Sequence, residues 1–141
     1  MNRTPALRHG LTADELNRIS EGVIGAAIAV HRELGPGLLE SAYEGCLTFE
    51  LIDRGYRVVD QLELPVVYRG NLIDAGFKMD LVVNEAVIVE LKAVDRMVPV
   101  YDAQLLTYLK LTKLNLGLLI NFNTVKVIDG VKRIARDFPD P

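Results

Sequence analysis

Apolar residues recur at Leu16, Ile19, Val23, Ile24, Ala27 and Ile28, the three-and-four spacing of one helix face. Thr12-Ala13-Asp14-Glu15 stands just before them as a capping box, a hydroxyl followed three residues later by a carboxylate. The pattern predicts a helix running to about residue 34, ended by Gly35-Pro36-Gly37. A second helix, about 38–54, carries Leu39, Tyr43, Leu47, Leu51 and Ile52 as its apolar stripe and closes at Gly55. Beyond Gly55 the period falls to two. Residues 56–59 and 62–68 are rich in β-formers and alternate in part, with Pro65 demanding an edge position or a bulge. Arg69-Gly70-Asn71 is a turn, and 72–83 and 86–93 are two strands joined through Asn84-Glu85. Pro99 introduces a third helix, about 100–111, with Leu105, Leu106 and Leu109 facing inward. A buried-looking strand at 116–122 follows, then a short last one at 124–128. Helix, helix, several strands, helix, strand is an α/β (α+β) order. It predicts a mixed sheet entered by an antiparallel meander and completed by a helical crossover.

Length and composition narrow the picture. The 141 residues fit one domain, expected at 11–141 behind a flexible tail at 1–10, and no linker or repeat divides them. Half the residues are hydrophobic and a quarter charged, an ordinary globular balance. The single cysteine, Cys46, cannot form an internal disulfide, so a reducing cytoplasmic home is expected. The longest apolar run, 22–30, is far shorter than the roughly 20 residues of a membrane span. A net charge of −3 offers no bulk basic surface, so binding nucleic acid would need a local basic patch, bridging cations, or a partner.

Candidate chemistry is concentrated in the segment Ala86-Val-Ile-Val-Glu-Leu-Lys92. Val87, Val89 and Leu91 occupy one face of this strand; Ile88, Glu90 and Lys92 occupy the other. An acid and an amine emerging from an apolar strand need a partner or a metal, because burying either alone costs several kcal/mol. Asp80 interrupts the preceding strand in the same way. A turn centred on Glu85 sets Asp80 opposite Glu90 with both carboxylates on one face, whereas a two-residue Asn84-Glu85 turn would put them on opposite faces. An odd-length loop or a bulge is therefore expected. Two carboxylates there are hard ligands for Mg²⁺ or Mn²⁺, and Lys92 beside them suits a water or a scissile phosphate. The plain alternative is a Glu90–Lys92 salt bridge with Asp80 capping a turn.

Asp80 followed at this spacing by Glu90-Leu91-Lys92 resembles the signature of the PD-(D/E)XK nucleases, with Met79 in place of the usual proline. Gly37-Leu38-Leu39-Glu40-Ser41-Ala42-Tyr43 is similar to the motif that names the GxxExxY protein family, a branch of that superfamily. The likeness covers about residues 15–136. It implies a restriction-endonuclease-like core with an extra N-terminal helix, and a Mg²⁺-dependent (or Mn²⁺-dependent) nuclease acting on DNA. Asp80 and Glu90 would bind the cation, with the Leu91 carbonyl joining them and Lys92 assisting the attacking water. Glu40 and Glu44, one turn apart on the second helix, are alternatives for a further acid; a solvated helix face explains either equally well. Gln104 and Tyr108 are similar to the Gln-x-x-x-Tyr pair with which RecB-like nucleases contact substrate, and His31 to their histidine ligand. A helix-end cap is the simpler role for His31. Lys78, Arg96 and Lys110 are candidate phosphate contacts, and Tyr43 a core residue. A homodimer or a protein partner is also expected. The competing class is a non-catalytic binding or assembly subunit that keeps the fold.

Overall fold

Helix α1 (Ala13–Leu34) starts where the Thr12 hydroxyl accepts the Glu15 amide, half of the expected capping box, and ends at Gly35, whose φ of 69° only glycine adopts readily. The computed structural model describes residues 6–141. Of the expected tail, residues 1–5 lie outside that range. Residues 6–10 carry no helix or strand, yet the Arg8 amide donates to the Glu85 carbonyl and His9 bonds the Thr112 carbonyl.

Helix α2 (Glu40–Asp53) packs beside α1 and buries Tyr43, Leu47 and Leu51. The strands β1 (Val58–Tyr68), β2 (Asn71–Val83) and β3 (Val87–Lys92) form the antiparallel meander. Helix α3 (Pro99–Thr112) then crosses over to β4 (Leu116–Asn121), which runs parallel to β3. The sheet has five strands in the order β1-β2-β3-β4-β5. Pro65 sits in edge strand β1, where the register shifts between Leu64 and Val66, as its missing N–H requires.

The last strand departs from expectation. Residues 124–128 are not a strand: they turn into a short 3₁₀ segment (Val127–Gly130), and β5 (Val131–Ala135) pairs antiparallel with β4 instead. The Asn121 side chain holds this turn by accepting the Asn123 amide, and a Cβ on Gly130 would stand 2.2 Å from the Asn121 carbonyl oxygen. β-Rich composition yields here to local capping.

Two cores result, one on each face. Helices α1 and α2 cover Leu81, Val83, Val87, Val89, Leu91, Leu118 and Ile120; α3 covers Met79, Val82, Ile88 and Leu119. The architecture is therefore α/β, three layers, with a mixed and mostly antiparallel sheet between helices. No helix among the described residues is long and apolar enough to cross a membrane.

Candidate active site

The hairpin between β2 and β3 has the predicted odd length. Leu81 pairs with Val89, Val82 with Ile88 and Val83 with Val87, so the turn is centred on Glu85. Asn84 and Glu85 both take left-handed φ values, 50° and 55°. Extended by one step, this register sets Asp80 against Glu90. There the ladder gives way to side chains. The Asp80 amide donates to Glu90 Oε1 at 3.1 Å, and the Leu91 amide donates to Asp80 Oδ2 at 2.9 Å.

One detail of the expectation changes. Val59, Leu62 and Leu64 of β1, and Phe77, Met79 and Val82 of β2, all pack on the α3 side. Strict alternation would place Gln61 and Asp80 there too; instead both strands switch faces at this level, and Gln61 takes a φ of 49°. Asp80 thereby turns toward α2, while Glu90 keeps the α3 side with Ile88. The two carboxyls do not share one face but meet where the strands part.

On the α2 side, Glu40, Ser41, Glu44, Gln61 and Asp80 line an acidic cleft of about 240 Å³. The Gln61 amide donates to Glu44 at 2.6 Å and, more loosely, to Asp80 at 3.4 Å. The loop before α2 aims Glu40. Gly37 has a φ of 97°, and the buried Tyr43 hydroxyl donates to the Gly35 carbonyl at 2.6 Å while accepting the Leu38 amide. Its ring stacks on Phe122 with centroids 4.6 Å apart. The glycine, glutamate and tyrosine of the motif thus have separate jobs: turn, cleft and anchor.

Electrostatics follow from this crowding. Burial, then the neighbouring Asp80, pushes Glu90 up from an ordinary 4.5 to about 9. Glu40 is raised by burial and Asp80, against a lowering by Lys92; Glu44 is raised by burial and nearby carboxylates, against the Gln61 hydrogen bond. The Lys92 ammonium lies 4.4 Å from the centroid of the Tyr101 ring. Among the described residues it has no ion pair, so the salt-bridge alternative with Glu90 is not the arrangement adopted.

Gln104 and Tyr108 line a groove with Lys92 on the α3 side. The Tyr108 hydroxyl donates to the Lys78 carbonyl at 3.4 Å. His31 is elsewhere: buried at the end of α1, it bonds the Thr124 carbonyl through Nε2 and lines a separate pocket. Lys78 sits 3.8 Å from Glu63, Arg96 is exposed in the loop after β3, and Lys110 lies in the last turn of α3. Nine residues beyond Tyr101, Lys110 is about 13 Å along the helix from the ring that holds Lys92. The structure therefore does not bring His31 or Lys110 to the carboxylates. Gln61 and Tyr101 are additions. The signal for Gln61 was the gap between the two β-like runs at 56–59 and 62–68; that for Tyr101 was its place three residues before Gln104 and seven before Tyr108.

The donor set suits a hard cation: oxygen ligands only, with burial raising Glu90, Glu40 and Glu44 in the absence of a paired positive charge. No three His, Cys, Asp or Glu side chains among the described residues form a ready cage. Mg²⁺ does not need one, since it keeps several waters and is commonly bound through one or two carboxylates. The family comparison agrees with the geometry. The family model described as the PD-(D/E)XK nuclease superfamily matches residues 17–134. No curated protein and no solved structure matches the chain.

Proposed function

Because the chain belongs to the PD-(D/E)XK nuclease superfamily, we propose that it is a Mg²⁺- or Mn²⁺-dependent phosphodiesterase that hydrolyses DNA. The single observation that carries this reading is the Asp80–Glu90 carboxyl pair at the parting of β2 and β3, with the unpaired Lys92 ammonium two residues on. Asp80 and Glu90, with the Leu91 carbonyl, would hold the cation; Glu40 or Glu44 would complete its surroundings from α2. When bound, the cation would supply positive charge to the scissile phosphate. Lys92 orients the attacking water and offsets charge developing on the phosphate oxygens. Gln104 and Tyr108 contact the substrate from α3. Within the superfamily we assign the chain to the GxxExxY branch, on Gly37, Glu40 and Tyr43. A cytoplasmic location goes with this reading, supported by the lone free Cys46.

A non-catalytic assembly subunit is the second reading. It is favoured by the apolar side chains Val67, Tyr68, Leu72 and Ile73, exposed at the tip of the β1–β2 hairpin where a second copy or another protein could pack. One experiment separates the two. Purified protein is incubated with single-stranded, duplex and branched DNA, and with RNA, in Mg²⁺ and in Mn²⁺, beside Asp80→Ala and Lys92→Ala. The nuclease reading expects metal-dependent cleavage that falls by about 10²-fold or more in both variants. Intact substrates throughout, together with no cation binding by calorimetry, would favour the assembly subunit.

A further inference from the structure

The acidic cleft and the groove on the α3 side share no lining residue, yet they adjoin at the carboxyl pair: Lys92 of the groove acts on Glu40 of the cleft, and Asp80 of the cleft on Tyr108 of the groove. The groove is the larger, about 560 Å³, within the range of about 300–1,000 Å³ usual for small-molecule sites. Its walls include the side chains of Phe77, Lys92, Tyr101, Gln104 and Tyr108, and no acid. The Phe77 and Tyr108 rings meet edge-on at 6.0 Å, fixing that wall. Tyr101 is half-buried, and its ring carries the Lys92 ammonium.

Such walls do not match a sugar-phosphate backbone, which asks for several cations. Aromatic faces with one amide match a nucleobase, whose ring stacks while its edge takes hydrogen bonds. Lys92 fixes where along the strand that base would lie, because the same ammonium serves the phosphate at the carboxylate pair. The chain's net charge of −3 and its acidic cleft work against broad backbone contact, so affinity must come from somewhere else. A base held in a duplex enters only after it is unstacked and unpaired, at a cost of a few kcal/mol that a single strand largely avoids.

We propose that this groove receives one unpaired nucleobase beside the scissile phosphate, so that the substrate is single-stranded nucleic acid or a strand with an unpaired end. The proposal rests on the nuclease reading and narrows it. Lys92 leaves the Tyr101 ring for the phosphate, and the base takes the ring face thus exposed. Tyr101 is a substrate-binding residue in this scheme.

The test is fluorescence anisotropy with labelled short single strands of DNA and RNA and with the matching duplex, in Ca²⁺ and in EDTA. Wild type, Tyr101→Ala and Tyr101→Phe are compared. A wild-type arm uses single strands with one abasic nucleotide moved along the sequence, which needs no folded variant. Wild type is expected to prefer single strands, and Tyr101→Ala to lower the single-strand-to-duplex affinity ratio about 10-fold or more. Tyr101→Phe should restore that ratio, and one abasic position should reproduce the loss. Equal affinity for duplex and single strand, or indifference to every abasic position, would overturn the proposal; the nuclease reading survives if Mg²⁺-dependent cleavage persists. No binding and no cleavage of any nucleic acid would remove both.

Discussion

A carboxyl group buried against a second carboxyl can ionise only by placing two like charges in a poorly solvated space. Glu90 is in that position, with Asp80 hydrogen-bonded to it and Lys92, Glu40, Glu44 and Tyr108 as the other titratable groups around the strand opening. The unfolded chain loses this proton near 4.5, whereas the folded chain keeps it to about 9. Folding therefore takes up a proton between those values, and the contribution to stability is full below the unfolded value and lost as pH rises toward 9. Glu40 and Glu44, also raised, act in the same direction. Urea unfolding without divalent ions should show stability falling from pH 5 to pH 9. Glu90→Gln should flatten most of that slope and be the more stable protein at pH 8, by a few kcal/mol. A Glu90→Gln variant with the wild-type slope would show that this carboxyl titrates normally. Because a cation must displace the shared proton, Mg²⁺ affinity should rise over the same range, read by calorimetry in wild type. Asp80, Glu90 and Lys92 were legible in the sequence because charged groups interrupting apolar strands need a reason to be there. Gln61 was not, since the gap between the two β-like runs marks a break in the pattern without saying which residue there faces the carboxyls.

Elements place these groups, and one contact shows how tightly. Gly117 of β4 lies under α3, where an added Cβ would come 2.7 Å from Leu105 Cδ1. The glycine lets the helix that carries Tyr101, Gln104 and Tyr108 sit close to the sheet. Gly117→Val should destabilise the fold by about 1–3 kcal/mol through overpacking, measured by urea unfolding. It should also weaken oligonucleotide binding, because Tyr101 and Gln104 would lift with the helix. A variant of full stability and full affinity would mean that α3 is free to adjust. Most element boundaries could be read from periodicity and punctuation, as at Thr12, Gly35, Gly55 and Pro99. The hairpin register followed from the demand that Asp80 stand opposite Glu90, which an odd-length turn meets. What periodicity could not show is the change of face at Gln61 and Asp80, because two adjacent strands switch together and each looks regular on either side of the break. The last strand was misplaced for a related reason. Val125, Val127 and Ile128 have the composition of a strand, but Val125 is 89 % exposed and the Asn121 side chain fixes the turn. The residues that do pair, Val131–Ala135, include three that are exposed and so lack a buried stripe.

At the scale of the whole molecule, charge and architecture together limit how nucleic acid can be held. Acids outnumber Lys and Arg by 19 to 16, and several cations are already paired: Arg57 with Glu85, Arg54 with Glu50, Lys132 with Asp102. Of the other thirteen, five stand on or just after β2, β3 and α3, the elements that carry the carboxyl pair and the groove. Lys92, Arg96 and Lys78 belong to the end of the sheet where the carboxyls meet, whereas Lys110 and Lys113 lie at the far end of α3. A strand engaging the site can therefore have about three phosphates neutralised, and fewer if Lys78 stays with Glu63. Each phosphate neutralised on a single strand contributes about −0.7 to the slope of log affinity against log salt. The expected slope for single-stranded binding is thus near −2, shallow beside proteins that track a backbone with many cations. Arg96→Ala should make it shallower by about one contact, whereas Lys110→Ala should leave it unchanged. Titrations in a graded series of KCl concentrations decide the matter. A slope of −5 or steeper would mean that cations beyond Lys78, Lys92 and Arg96 take part, from elsewhere on this chain or from a second copy sharing the strand.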